Sequence, residues 1–484
     1  MNFNSLEFIL FLPCVVFAHW LLPHKYRWMI LLAASLYFYM SWNVALGGLL
    51  AAITLTSFIC GRLLEICKKQ WQRKSVLLLN LIICLGILIF FKYADYITQS
   101  VISVLSLFGT EVPFSTWNLL LPVGISFYTF QTLTYVIDVY RGATESECHL
   151  GYYALFVCFF PQLVAGPIER SCDLLPQLRC EKKFVKENFY DGIRWLLSGF
   201  IRKCVVADTV GMYVNTVYAD FSNCNGVAVF LASGLFMIQI YNDFAGYSEI
   251  AMGSARLLGI TLTKNFDTPL VSVTVTEFFR RWHITLNRWF TDYVYIPLGG
   301  NRNGMARKLF NTMVVFSLCG LWHGANHTYL LWGMVAGAFV CMESLLKRPC
   351  RILCERFQWL KSPSVLTIRR GVLLGLFTLS CVLFRSSDIQ QVAAGFRKIV
   401  FEFDVSYEGF LAAFSAMGIA GTDLLLILSV AGIMAALPGL QKREERYIDT
   451  NETVLFVVGI LAILLCLLNQ LSTTGTSAFS YFQF

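Results

Sequence analysis

The sequence predicts an all-α polytopic membrane protein, and three observations carry that expectation. Hydrophobic residues make up 57% of the 484-residue chain and charged residues only 14%, with a mean hydropathy of +0.62. Apolar segments of helical length recur along the chain, and Lys and Arg gather in alternate connections between them. A soluble chain of this size needs far more charge to cover its surface. No polar linker is long enough to hold a separate soluble domain, so residues 1–484 read as one integrated membrane domain. The net charge of +8 fits basic cytoplasmic loops and gives no sign of a nucleic-acid partner. The sixteen cysteines scatter through apolar runs without a CxxC pair, as small core residues do, and no disulfide framework is expected.

The candidate spans, in order, are 6–22, 28–41, 44–61, 75–93, 118–139, 190–208, 226–242, 309–321, 328–346, 371–388, 423–438 and 453–470. The first lacks a basic leader and a small-residue cleavage site, so it reads as a retained helix. Charge orients the set. His24 to Arg27 precedes the second span, and Arg62, Lys68, Lys69, Arg73 and Lys74 follow the third. The connection Ser41-Trp42-Asn43 is a hairpin turn, which puts both basic segments on one side, and the positive-inside rule makes that side cytoplasmic. The N-terminus then faces outward, as does the loop 97–117, which holds no Lys or Arg. Lys347 to Arg370, with seven basic residues, and Lys442 to Arg446, with three, return to the cytoplasm. The tail 471–484 lies outside, giving a multi-pass protein of the plasma or inner membrane with both termini extracytoplasmic.

Several spans are shorter than the ~20 residues a simple crossing requires. Tyr152 to Gly166 is apolar but lies between cytoplasmic basic stretches and contains Pro161, so a half-depth helix returning to its own side is expected. Segment 262–308 is too polar to span and too aromatic to be solvated.

Four clusters hold groups able to do chemistry. Leu321-Trp322-His323-Gly324-Ala325-Asn326-His327 places imidazoles inside a long apolar segment, where ionisable groups are costly and mark function by default. The bland alternative is a pair of buried histidines bonding helices together. His323 and His327 have the i, i+4 spacing of a zinc pair, but Gly324 stands where His-Glu-x-x-His needs its glutamate, so no metal is expected. In the second cluster, a helix from Thr276 would share one face among Arg281, Thr285 and Arg288 and the next among Arg280, His283 and Asn287. Such arginines, with Arg302, could clamp an anionic ligand or pair with lipid phosphates at the interface. In the third, Asp243 and Glu249 could orient a histidine, pair with one of those arginines, or form a salt bridge fixing a broken helix. In the fourth, Gly124, Tyr128, Gln131 and Tyr135 recur at helical spacing, an inward face that lines a channel or packs on neighbours. There is no Gly-x-Ser-x-Gly elbow, Walker loop or dinucleotide fingerprint.

The chain resembles the membrane-bound O-acyltransferase (MBOAT) family, in its bacterial AlgI/DltB/PatA-like branch. The resemblance rests on Phe3-Asn-Ser-Leu-Glu-Phe8, Leu121-Pro-Val-Gly-Ile-Ser-Phe-Tyr-Thr-Phe130, Phe160-Pro-Gln-Leu-Val-Ala-Gly-Pro-Ile168, Asp243-Phe-Ala-Gly-Tyr-Ser-Glu-Ile-Ala-Met-Gly253, Arg281-Trp-His-Ile-Thr-Leu-Asn-Arg-Trp-Phe290 and Trp322-His323-Gly324. Phe384-Arg385-Ser386 resembles the alginate-type subgroup. The resemblance implies a helical bundle around a central funnel with half-depth helices, a core at about 118–345, N-terminal spans in 1–117 and C-terminal spans in 371–470. It places the family's histidine at His323 and its second polar position at His283. It implies acetyl-CoA as donor substrate from the cytosol, no other cofactor, and an acceptor outside.

Chemistry suits that placement, because acyl transfer from a thioester needs a base near neutral pKa. Trp322 and Asn326 are candidates to hold the ring and donate to the developing oxyanion. Arg280, Arg281, Asn287, Arg288, Asp243 and Tyr128 are candidates for substrate or donor binding. The length and C-terminal spans favour acetylation of a polysaccharide such as alginate, cellulose or peptidoglycan over D-alanyl transfer to teichoic acid. The chain carries no SGNH-type esterase domain, so a secreted partner of that kind is implied. A transporter or channel would explain a polar interior equally well, but not the clustered Trp-His-Gly and Arg-Trp-His elements.

Overall fold

The computed structural model describes residues 1–109, 117, 119–419, 421 and 423. The expected span 453–470, the basic loop 442–446 and the 471–484 tail lie outside them, as does all but the first residue of the span at 423–438. The chain is all-α and polytopic. Its helices are α1 (Leu6–Leu21), α2 (His24–Met40), α3 (Val44–Ile66), α4 (Gln70–Leu107), α5 (Ile125–Arg141), α6 (Leu150–Cys158), α7 (Phe160–Leu163), α8 (Ser171–Arg179) and α9 (Lys186–Phe200). A π-helical turn, Ile201–Ala207, leads into α10 (Asp208–Ala219) and α11 (Gly226–Leu257). There follow α12 (Val275–Arg281), α13 (Ile284–Phe290), α14 (Gly304–His323), α15 (His327–Arg356), α16 (Pro363–Arg385), α17 (Ile389–Phe401) and α18 (Tyr407–Ala416). Among the described residues five helices, α3, α4, α11, α15 and α16, are long and apolar enough to cross a membrane, and α1 is a shorter apolar helix.

Contacts divide the chain into two units, residues 1–196 with 247–264 and residues 197–246 with 265–484. In the first unit α1 and α3 start at side-chain caps: Ser5 accepts the Phe8 N–H, and Asn43 accepts the Ala45 N–H at 2.9 Å. The loop expected at 97–117 is in part helix. The 38 residues of α4 rise about 57 Å, beyond the ~30 Å hydrocarbon core, so the helix continues where falling hydropathy reads as a loop. The nine residues of α6 rise only about 14 Å, too short to cross the ~30 Å hydrocarbon core. Its end is satisfied from outside the helix. Phe160 gives its N–H to Ser35 Oγ at 3.0 Å, and the Phe156 carbonyl accepts instead from Gln131 (2.7 Å) and Gln162 (2.8 Å). The polar face of α5 is thus a packing face within this unit. Tyr128 is buried edge-on to Tyr39, with ring centroids 6.4 Å apart, and the Tyr135 hydroxyl accepts the Glu147 N–H at 2.8 Å.

In the second unit α14 and α15 form an antiparallel hairpin whose backbones touch. A Cβ on Gly320 would lie 2.3 Å from the Tyr329 carbonyl, and one on Gly333 2.3 Å from the Phe316 carbonyl. Only glycine permits that approach. Around the hairpin an aromatic core gathers Phe236, Phe278, Phe279, Trp332, Phe377 and Phe384, with the Phe278 and Phe377 rings stacked at 3.8 Å. α11 corrects one expectation. It runs unbroken through Asp243 and Glu249, so no helix break stands there for a salt bridge to fix.

Candidate active site

His323 is the last residue of α14, and Gly324 takes the chain out of the helix in an extended conformation. His327 opens the next helix, so the two histidines do not share one helical face. The His323 side chain is buried in an aromatic box. Trp332 lies at 5.3 Å and Phe384 at 5.3 Å, both edge-on, and Trp322 at 5.1 Å. Cys319, one turn back, puts its Sγ 3.9 Å from Nε2. A small cavity of about 40 Å³ opens beside the ring, lined also by Phe236, Met237, Ile240, Ser380 and Cys381.

The expected helix from Thr276 does not run through His283. It ends as α12 at Arg281, and His283 takes a left-handed conformation with φ +45°. That conformation costs a non-glycine residue about 1–3 kcal/mol and persists only where the surroundings impose it. Here they do. The Asn265 carbonyl accepts the Ile284 N–H at 2.8 Å, and the Asn265 Oδ1 meets His283 Nδ1 at 3.1 Å, Thr285 N–H at 3.3 Å and Thr285 Oγ1 at 3.0 Å. Asn287 closes the turn by donating to the Phe279 and Trp282 carbonyls, both at 2.6 Å. The buried His283 ring then lies 4.7 Å from Phe244 and 5.6 Å from Trp322. Trp322 therefore touches both histidines. His283 stands outside the membrane-spanning helices, and burial, reinforced by the neighbouring His323, holds its pKa well below the ordinary imidazole value. That favours the neutral ring near pH 7.

The break redistributes the charges. Arg280 and Asn287 line a second, large cavity of about 1190 Å³, whose other cations are Lys308, Lys347, Arg351 and Arg369. Arg281 turns away to pair with Glu277 at 3.0 Å and Asp267 at 3.8 Å, while Arg288 and Arg302 are exposed and outside the cavity lining. Of Arg280, Arg281, Arg288 and Arg302, only Arg280 lines this cavity. Lys347, Arg351 and Arg369 belong to the basic segment read as a topology signal, and the i, i+4 spacing of Lys347 and Arg351 on α15 was the clue available.

Asp243 lies on α11. It pairs with Lys203 at 2.7 Å, and Lys203 bonds Asp208 as well, at 2.8 Å. Lys203 rides on the π-helical turn, and Gly246 permits the approach, since a Cβ there would lie 2.7 Å from the Gly199 carbonyl. Asn326 caps α15, accepting the Thr328 N–H at 3.1 Å and donating to the Ser387 carbonyl at 2.8 Å. Tyr128 and Glu249 belong to the first unit. Asn265, Lys203 and Cys319 were not singled out from the sequence. Asn265 and Lys203 act across 18 and 40 positions respectively, and no local pattern announces such partners.

Residues 18–363 match the family described as MBOAT, membrane-bound O-acyltransferase family. The chain is 38% identical over 349 residues to the Azotobacter vinelandii protein named "Probable alginate O-acetylase AlgI", a match covering 72% of this chain and 69% of that one. It is 31% identical over 336 residues to the peptidoglycan O-acetyltransferase of Helicobacter pylori, covering 64% and 62%. Over 264 residues it is 26% identical to the teichoic acid D-alanyltransferase of Bacillus subtilis, covering 52% and 65%.

Proposed function

Because this chain belongs to the membrane-bound O-acyltransferase family, we propose that it moves an acetyl group from cytosolic acetyl-CoA to an extracytoplasmic acceptor hydroxyl. The acceptor in this reading is a cell-surface polysaccharide, reached directly or through a secreted esterase-like partner. The similarity to proteins named for O-acetylation covers more of the chain, at higher identity, than that to D-alanyltransferases. Family membership makes the chain an O-acyltransferase and sets aside a channel without covalent chemistry.

One observation carries the proposal. Lys308, Thr312 and Phe316 of α14 line the large basic cavity, and Cys319 and His323 continue the same helical face. From Lys308 to His323 is about 22 Å along the axis. Phe316 packs at 4.8 Å on Phe279, which lines the small cavity at His323. The cationic end suits the phosphates of coenzyme A, and the buried end suits its thioester.

At that end the His323 imidazole takes the proton of the acceptor hydroxyl as its oxygen attacks the thioester carbonyl. The tetrahedral intermediate collapses with cleavage of the C–S bond. The imidazolium then returns the proton to the departing thiolate, leaving the ester and free coenzyme A. Trp322, Trp332 and Phe384 exclude water, which would otherwise compete as nucleophile.

The test uses purified protein in proteoliposomes with labelled acetyl-CoA and acceptor polysaccharide or partner. His323→Ala of verified expression is expected to lose 10²–10⁴-fold in transfer, the usual worth of general-base catalysis. Activity within about tenfold of wild type overturns the base assignment.

A further inference from the structure

We propose that Asn265 is a positioning residue, one that holds His283 in a single tautomer with the proton on Nδ1, so that Nε2 serves the reaction as an acceptor. The inference rests on the acyl-transfer reading for its consequence but not for its geometry. The Thr285 backbone N–H can only donate, and it meets Asn265 Oδ1 at 3.3 Å. The amide is therefore oriented with its oxygen toward this cluster, because turning it over would set NH₂ against N–H, donor against donor. The Thr285 hydroxyl at 3.0 Å adds a second donor to the same oxygen. His283 Nδ1, 3.1 Å from that oxygen, must then carry a proton to bond it. A neutral imidazole holds one proton, so Nε2 carries the lone pair.

The backbone shows the same grip. Asn265 takes the His283 ring with its side chain and, with its carbonyl, the N–H of Ile284, the residue that follows the left-handed His283. The ring is packed by Phe244 at 4.7 Å and Trp322 at 5.6 Å, which leaves it little freedom to turn over. The consequence is specific. His283 accepts a hydrogen bond at Nε2 from substrate or from the acceptor hydroxyl, and does not donate from that atom to the developing oxyanion. Oxyanion stabilisation must come from other donors.

The decisive measurement is the ¹⁵N signature of His283 in the full chain, labelled on histidine, reconstituted in nanodiscs and assigned by loss of its signals in His283→Gln. Protonation at Nδ1 near neutral pH is expected. Asn265→Asp keeps an acceptor oxygen in place and is expected to keep that tautomer. Asn265→Ala is expected to give a tautomer mixture and to lower kcat about tenfold to a hundredfold, the scale of a misplaced catalytic group, with the KM for acetyl-CoA unchanged. A wild-type signature with the proton on Nε2 overturns the proposal, as does Asn265→Ala with tautomer and kcat both intact. The tautomer is read without turnover. A wild-type protein that transfers no acetyl group would therefore sink the functional reading while leaving the assignment of Asn265 to be judged by its spectrum.

Discussion

The indole of Trp322 meets the imidazole of His283 edge to face at 5.6 Å, and the His323 ring stands 5.1 Å from the same indole. One aromatic side chain thus fixes the spacing of two imidazoles that come from separate elements. The proposed roles differ. His323 moves the proton, while His283 accepts a hydrogen bond and places the substrate. His283→Ala is expected to be damaging yet to retain at least about tenfold more turnover than His323→Ala, since proton transfer carries the larger share. Single-turnover transfer by both variants decides it. Equal losses in turnover, with donor affinity unchanged, would show that the two rings act as one catalytic unit.

The large cavity makes a prediction about the donor. A charged hydrogen bond to phosphate contributes about 1.5–3 kcal/mol, or roughly tenfold to a hundredfold in affinity. Arg351→Gln and Arg280→Gln, both in the cavity lining, are expected to raise the KM for acetyl-CoA by about that factor with little change in kcat. Arg288→Gln, exposed and outside the lining, is expected to leave KM within about twofold. Equal effects of all three would place the donor elsewhere.

Much of the site could be read in the sequence where the signal is local. His323 is conspicuous as an imidazole in an apolar run, and Gly324 marks where its helix ends. The break at His283 is different. Residues 276–290 contain no glycine or proline, so helical periodicity runs through the position undisturbed. What stops the helix is Asn265, 18 positions away, and one sequence cannot show a partner at that distance. The extension of α4 past residue 93 was missed for another reason. Asp95, Thr98, Gln99 and Ser100 lower the hydropathy without opposing helix formation, so the apolar signal stops before the helix does.

Lys203 and Asp243 are both buried, and a buried pair that loses one partner leaves an uncompensated charge. Lys203→Met is expected to cost about 3–5 kcal/mol, seen as a lower unfolding midpoint in detergent and reduced membrane yield. The double variant Lys203→Met with Asp243→Leu is expected to recover much of that loss, because two apolar side chains leave no buried charge. A stable single variant would show that a donor other than Lys203, or solvent, already satisfies Asp243.

The neutral His283 ring gives stability a pH dependence of known sign. Its folded pKa lies well below 6.5, while the unfolded chain takes up the proton near the ordinary value. Between those two values the unfolded state binds more protons, so stability rises with pH and falls as the medium is acidified below about 6.5. One such group contributes at most about 1.4 kcal/mol per pH unit. Unfolding midpoints at pH 7.5, 6.5 and 5.5 are expected to fall less steeply in His283→Asn than in wild type. Parallel slopes would mean that the ring is charged, or equally protonated, in the folded protein.

Sidedness is the remaining expectation, and α4 states it most simply. Lys68, Lys69, Arg73 and Lys74 cluster at the start of this helix, and its length of about 57 Å exceeds the ~40–45 Å of a whole bilayer. Its two ends are therefore expected to emerge on opposite faces. With the basic end cytoplasmic, as the positive-inside rule predicts, Leu105 is expected outside. The segment from Lys347 to Arg370 is basic in the same way, so the cationic cavity of α15 and α16 is expected on the cytosolic side. His323, at the far end of α14, is then expected toward the outer face, so that donor and acceptor need never share a compartment. Membrane-impermeant thiol labelling tests this in intact cells with native cysteines blocked. Leu105→Cys is expected to label directly, and Ile352→Cys only after permeabilisation. The reverse pattern would put the cationic cavity outside, where no acetyl-CoA is available, and the outward path for the acetyl group would fall with it.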